Sequence, residues 1–459
     1  MRTLSATIAR VPPGKFGARG LSWLLSSSAG AFAVLCAGAG ITYAAQLVIA
    51  RAIGPEGFGI YAYVVAWVTL CAYVATLGFH TSLLRLLPAY EAQEAWPLAR
   101  GVLRCAMVTT LALGAAFALL IVVFADRLAD GDGALVHALR IGAVAIPLIA
   151  FQLAASAGAR AFGGPVVSLV PERILRDGTV LIIVSGATLL GLGRPDAAYA
   201  VLAFAAGCAI ALAFALTALR LLRPQALAEA RAGASFREWL APALPLTVLL
   251  FADNVLVRSG VLVLGMIASV HEAGLFAIAF GLSLLAALPR MAIASAFAPQ
   301  VSALHARADI DGLRTLSARS TLLSLIATIC VAIPLLGGTP VLLGWLGHSF
   351  LEAAPIVAIL MAGQVFAAAF GPQQHLLTMT GHERASAVIF LIAATFGVAA
   401  ALALVPVLGV HGAAFASVGS TALLNAALAV AIRRHLALPP GMAIALGRSL
   451  RRGRRHHAG

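Results

Sequence analysis

Apolar runs of about 20 residues recur along the whole chain, the length that ~30 Å of hydrocarbon demands of a helix. Breaks of charge, Gly and Pro divide the chain into twelve such runs, at 28–50, 59–80, 102–124, 138–157, 167–190, 198–219, 243–265, 273–295, 321–343, 354–376, 386–406 and 410–432. Barrel strands would show ~10-residue alternating segments instead. Composition excludes a soluble reading: 61% of the residues are hydrophobic and 10% charged, against about 25% charged in soluble chains. An all-α integral membrane protein is expected. The first run extends from about residue 21 to 50, too long for the ~7–15-residue core of a signal peptide, and reads as a retained helix. The fifth run is the weakest. Its first turns hold Glu172, Arg173, Arg176 and Asp177, which read as interfacial residues whose long side chains reach water. The five cysteines, 36, 71, 105, 208 and 330, are scattered singly and read as small core residues without metal or disulfide spacing.

Arginine and lysine set the orientation. With the N-terminus inside, 26 of the 31 basic residues fall in inside segments. With residues near the run ends counted in the adjoining loops, four fall outside (Arg51, Arg127, Arg140 and Arg194), and Arg258 alone is left within a span. That asymmetry follows the positive-inside rule, and one span more or fewer would destroy it. Both termini are then expected in the cytoplasm. The run "ARAIGPEGFGIYAYVVAW" (50–67) becomes an outside hairpin. Its Gly-Pro-Glu-Gly breaks the helix, and Tyr61, Tyr63 and Trp67 lie near the interface, where aromatics are favoured.

A weaker echo of that hairpin, "ASVHEAGLFAIAFGL", begins at Ala268. Aligning Gly59 with Gly274 sets Ile60-Tyr61-Ala62 beside Leu275-Phe276-Ala277. Likewise "ARAFGGP" (159–165) and "LTMTGHER" (377–384) mark the inside turn after the fourth helix of each six-helix set. An even number of helices per set makes this a parallel repeat about an axis along the membrane normal. The expected organisation is a cytoplasmic segment 1–27, a six-helix lobe 28–220, a linker 221–242, a second six-helix lobe 243–433 and a basic cytoplasmic tail 434–459.

"ARAIGPEGFGIYAY", "LLRLLPAYEA" (83–92) and "AAPIVAILMAGQVFAAAFGPQQHLLTMTGHERA" (353–385) resemble the polysaccharide/oligosaccharide flippase family. That family shares a superfamily with the MATE drug exporters and the lipid II flippase. The resemblance covers about residues 28–435. It implies a MATE-like pair of six-helix lobes around a central cavity. It also implies movement of a polyprenyl-pyrophosphate-linked glycan from the inner to the outer leaflet of the bacterial inner membrane, for surface polysaccharide biosynthesis. The lipid II flippase resembles a fourteen-helix plan, and no thirteenth or fourteenth run is found here. Many members carry an acid early in the seventh helix; here Arg258, Ser259 and Gly260 stand there, and the acid is Asp253.

Such a protein needs no bond-making residues and no cofactor. It needs a wet cationic cavity, for which the guanidinium fork suits phosphate oxygens. Ionisable groups at membrane depth must face something polar, so they are the informative residues. Arg258 and Asn254, four apart on one helix face, read as an anion site, with an arginine snorkelling to the outer interface as the alternative. Asp253 is the candidate for coupling to a proton or Na⁺ gradient. Tyr43, Gln46 and Gly54 fall near one stripe of the first helix, a candidate cavity wall with Arg51 at its outer end. Arg85 is a candidate for receiving the headgroup from the cytoplasm, or an ordinary positive-inside residue. Gln364, Gln373, Gln374 and His375 read equally as sugar-binding or as interhelical bonds, and Asn425 as a bond to another helix.

The tail "GRSLRRGRRHH" (447–457) reads as a contact with anionic headgroups, worth ~1 kcal/mol per residue near the surface. Expected partners are the lipid-linked glycan, membrane lipids and polysaccharide polymerase or export proteins, with no nucleic acid and a monomeric state. Two alternatives remain. A cation-coupled drug exporter of the same architecture would want acids in its cavity. A polytopic glycosyltransferase or polymerase would want a large outside loop or paired acids. The longest outside loop, about 125–136, offers Asp126, Asp130 and Asp132, which read as a solvated turn.

Overall fold

The computed structural model describes residues 18–191, 195–233 and 236–436. The N-terminal segment before residue 18, Arg194 and the basic tail lie outside the described residues. Every regular element among the described residues is helical. Ten helical segments are long and apolar enough to cross a membrane. One of them, Ala33–Ala92, is broken at Gly54 and supplies two spans. The fifth span, residues 165–189, is too charged to count among the ten. About twelve spans result, as the apolar runs require.

The hairpin expected at 50–67 turns on a single residue. Gly54 has φ 74° and ψ 178°, a conformation essentially confined to glycine, and Pro55 follows it as a helix starter. The limbs on either side run back along each other. Thr42 of the first limb bonds Asp177, and Tyr73 of the second bonds Glu172. In one straight helix those two partners would stand about 46 Å apart, at 1.5 Å per residue. Elsewhere the turns use side-chain caps. Asp132, Asp196, Ser269 and Asp309 each accept a backbone N–H from the first turn of the helix they precede. Asp132 is thereby committed to a cap and Asp126 to an ion pair with Arg140 at 3.0 Å.

The cores show how the halves meet. At the Gly54 end one continuous apolar cluster includes Tyr63, Leu139 and Phe204 of the first half with Phe276, Phe350 and Met361 of the second. At the opposite end, where the inter-half linker runs, there are two clusters instead. One holds Phe79, Leu103 and Leu219, the other Phe297, Leu313 and Phe390. The halves are one body at the Gly54 end and two at the linker end.

Gly59 and Gly274 explain the close fit. A Cβ on Gly59 would lie 1.7 Å from the Val270 carbonyl oxygen, and one on Gly274 would lie 2.2 Å from that of Pro55. In the register that pairs 59 with 274, Pro55 pairs with Val270. The contact is therefore reciprocal, residue i on j′ and i′ on j, which is the mark of a two-fold axis between matching surfaces.

The sixth helix continues to Leu222, a short helix Gln225–Glu229 follows, and the helix that carries the seventh span begins at Phe236. Arg100 donates to the Ala228 and Ala230 carbonyls, and Gly233 N–H donates to Pro97 O at 2.8 Å. Trp239 is buried in the first half's linker-end cluster and donates to Tyr90 OH at 3.1 Å. The seventh span thus starts on the first half, while Ala252 further along it belongs to the second half's core. Cys36 and Cys330 are exposed on their spans, unlike the buried Cys71 and Cys208, so only part of the set serves the core.

Candidate functional site

The fifth span overturns the interfacial reading of its charges. Its helix begins at Pro165, so Glu172 to Asp177 stand about 10–18 Å along it, at membrane depth. Residues Pro171–Arg176 form a wider π turn, and Asp177 is buried. Two glycines bring neighbouring spans onto this turn. A Cβ on Gly38 would stand 2.6 Å from Arg173 Cβ, and one on Gly207 would stand 2.5 Å from the Arg176 carbonyl oxygen. Spans one and six therefore clamp the segment, and its side chains cannot reach the interface.

Those side chains form a network. Arg176 Nε donates to Asp177 Oδ1 at 2.8 Å, with side-chain exposures of 13% and 9%. Thr42 Oγ1 donates to the other carboxylate oxygen. The Arg176 guanidinium also lies 5.5 Å from the Phe204 ring centroid. Tyr73 OH donates to Glu172 Oε1 at 3.4 Å. Arg258 of the seventh span comes within electrostatic reach of Arg176, Tyr73, Tyr61 and Asp177. Three guanidinium groups, Arg173, Arg176 and Arg258, thus face two carboxylates. Arg173 and Arg258 each hold a buried Nε–H with no acceptor. A buried donor left empty is costly, and a buried cation without a counter-ion more so.

The other candidates are distributed around this network. Asn254 does not pair with Arg258; its Nδ2 donates to the Leu250 carbonyl, one turn back on its own helix, at 3.0 Å. Asn425 likewise bonds its own helix at Thr421 O rather than another span. Asp253 is exposed on the seventh helix. Tyr43 OH and Gln46 Oε1 are buried without partners, and Gly281 of the eighth span closes on them. A Cβ on Gly281 would stand 2.6 Å from Gln46 Oε1. Arg85 is exposed on the helix Phe79–Ala92. Arg51 donates to the Trp345 carbonyl, and its guanidinium carbon stands 4.3 Å from that ring's centroid.

Two further findings correct the reading of the spans. The tenth span stops at Phe370, and Gln373–Met379 is a separate short helix after the break at Gly371. Arg290 is not a loop residue. It lies inside the eighth helix, Val270–Ala306, with a buried Nε–H lacking an acceptor. Trp345 carried no sequence signal, because its partner lies 294 residues away. The charges of the fifth span did carry one: Pro165 fixes the helix start and hence their depth.

The comparisons agree with this architecture. No curated protein matches the chain significantly. A solved inward-facing multidrug resistance MATE family transporter of the MOP superfamily aligns with TM-score 0.72 and 13% identity, covering 87% of this chain and 94% of that one. The lipid II flippase MurJ in an inward closed conformation aligns with TM-score 0.68 and 12% identity, covering 88% and 87%. A MOP-superfamily transporter from Pyrococcus furiosus, described as having a binding pocket of reverse polarity, aligns with TM-score 0.61 and 13% identity, covering 89% and 94%. These likenesses establish the fold. Residues 29–305 match the family described as "Polysaccharide biosynthesis protein". More than half of the chain falls within that match, and the chain belongs to the family described as polysaccharide biosynthesis protein.

Proposed function

We propose that the chain is a flippase that moves a polyprenyl-pyrophosphate-linked glycan from the inner to the outer leaflet of the bacterial cytoplasmic membrane. The proposed orientation puts both termini and the linker end in the cytoplasm and the Gly54 end outside. The observation that carries the reading is Arg258. It is a guanidinium at membrane depth with an unfilled donor and, among the described residues, no ion-pair partner. A pyrophosphate brings two or more negative charges into a space walled by hydrocarbon, and a fixed guanidinium is the counter-charge it requires. Because the linker end has two cores rather than one, the halves could part there to admit the headgroup while the lipid tail stays in the bilayer. Rocking of the halves about the shared Gly54-end core would then expose the site to the other side. A cationic drug would find the excess of guanidinium over carboxylate unfavourable, which disfavours the exporter reading.

The test is surface polysaccharide in a strain lacking the gene and complemented with variants, alongside the membrane level of each. Arg258→Ala should abolish export while the protein still accumulates. Arg258→Lys, which keeps the charge and loses the fork, should retain part of it. Normal polysaccharide with Arg258→Ala would sink the reading.

A further inference from the structure

Two contacts of different kinds hold the Gly54 end shut. One is the reciprocal backbone contact of Gly59 with Val270 and Gly274 with Pro55, on the axis between the halves. The other lies to one side. Arg51 closes the first limb, and its guanidinium holds both the carbonyl and the ring of Trp345, one residue before the end of the ninth span. This contact ties the first half to the second. No ion pair among the described residues includes Arg51, although Glu56 is only five positions on. In the register that pairs 59 with 274, the counterpart of Arg51 is Met266, so the contact has no twin across the axis.

We infer that Arg51 is an exchangeable latch: it holds Trp345 while the Gly54 end is shut, and releases it when the phosphate oxygens of an arriving pyrophosphate lipid take its fork. The cargo would thereby open its own exit. This rests on the flippase reading. The chemistry favours exchange. A neutral carbonyl and a ring face are the weaker partners of a guanidinium, whereas phosphate offers charged oxygens to both prongs, in bonds about twice as strong. Arg51 is exposed and Trp345 is 51% exposed, so the swap breaks no core packing. Arg258 stands eight residues before Met266, the counterpart of Arg51, about 12 Å below the level of Arg51, so one headgroup can leave the first and reach the second.

The test uses the full chain in lipid nanodiscs, with the native cysteines replaced and spin labels at Glu56→Cys and Ser349→Cys, both exposed positions at this end. The probe is farnesyl pyrophosphate, with farnesol as control. The wild type should show one short distance alone and gain a longer one with farnesyl pyrophosphate but not with farnesol. Arg51→Ala should populate the longer distance without any ligand, by roughly fivefold or more over wild type, and farnesyl pyrophosphate should add little. Arg51→Lys should fall between. If Arg51→Ala keeps the single short distance, there is no latch. If farnesyl pyrophosphate raises the wild type's thermal midpoint but leaves the distance unchanged, binding is real and the exchange is wrong. If it does not raise that midpoint, the flippase reading fails and takes the exchange with it, while the ligand-free Arg51→Ala distance still decides whether Arg51 holds the end shut.

Discussion

Arg176 and Asp177 are adjacent in sequence and form a buried pair, the long Arg176 side chain reaching the carboxylate of the next residue. Removing one partner of such a pair strands the other in a dry site, at a cost of about 3–5 kcal/mol, whereas replacing both with apolar groups is often nearly neutral. Asp177→Ala should therefore lower the thermal midpoint of the purified protein sharply. Arg176→Met combined with Asp177→Leu should recover most of the loss. A double variant no better than the single would mean that Thr42 and Phe204, not the charge pair, carry the stability. The single residues were partly legible in the sequence. Arg258 stood out because one arginine in an apolar run has few explanations. Arg173, Arg176 and Arg290 did not, because hydrophobic counting places a charged residue at the nearest loop and says nothing of depth. Asn254 shares a helix face with Arg258, which is a statement about direction; the bond its amide makes to the Leu250 carbonyl depends on the rotamer, which the sequence does not state.

Among the elements, the apolar spans were the most legible, since their length is set by the thickness of the bilayer and needs no knowledge of neighbours. Breaks were legible only where the residues themselves force them. Gly54-Pro55 announces a turn. Gly371-Pro372 carries the same dipeptide, followed by Gln373, Gln374 and His375, but a run carried to residue 376 to reach the length of a span passes over that break. The Gly54 turn carries a testable cost. Gly54→Ala places a Cβ where φ and ψ leave no room for one, a strain of order 1–3 kcal/mol. The variant should accumulate poorly or melt earlier in detergent. A wild-type midpoint would show that the turn can relax to a conformation open to alanine.

For the whole molecule, the sequence showed two matching halves, but not that they share one core at one end and keep two at the other. That asymmetry depends on contacts between residues hundreds of positions apart. The orientation is checked by labelling single cysteines in intact cells, in a background without the native ones. Positions 55, 130, 195, 270 and 349 should react from outside, and positions 93, 230 and 310 should be protected. Reversal of either set would turn the molecule over and put the two linker-end cores on the outer face. The glycine contact has a consequence of its own. Were each half a separate copy of one protein, a single codon would govern both sides of the contact, and one change would strike twice. Joined in one chain, the two sides answer to separate codons, but that freedom is empty here. A crowded side chain is usually accommodated by shrinking its neighbour. Gly59 and Gly274 each press on main chain, and each is already the smallest residue there is, so neither can make room for growth in the other.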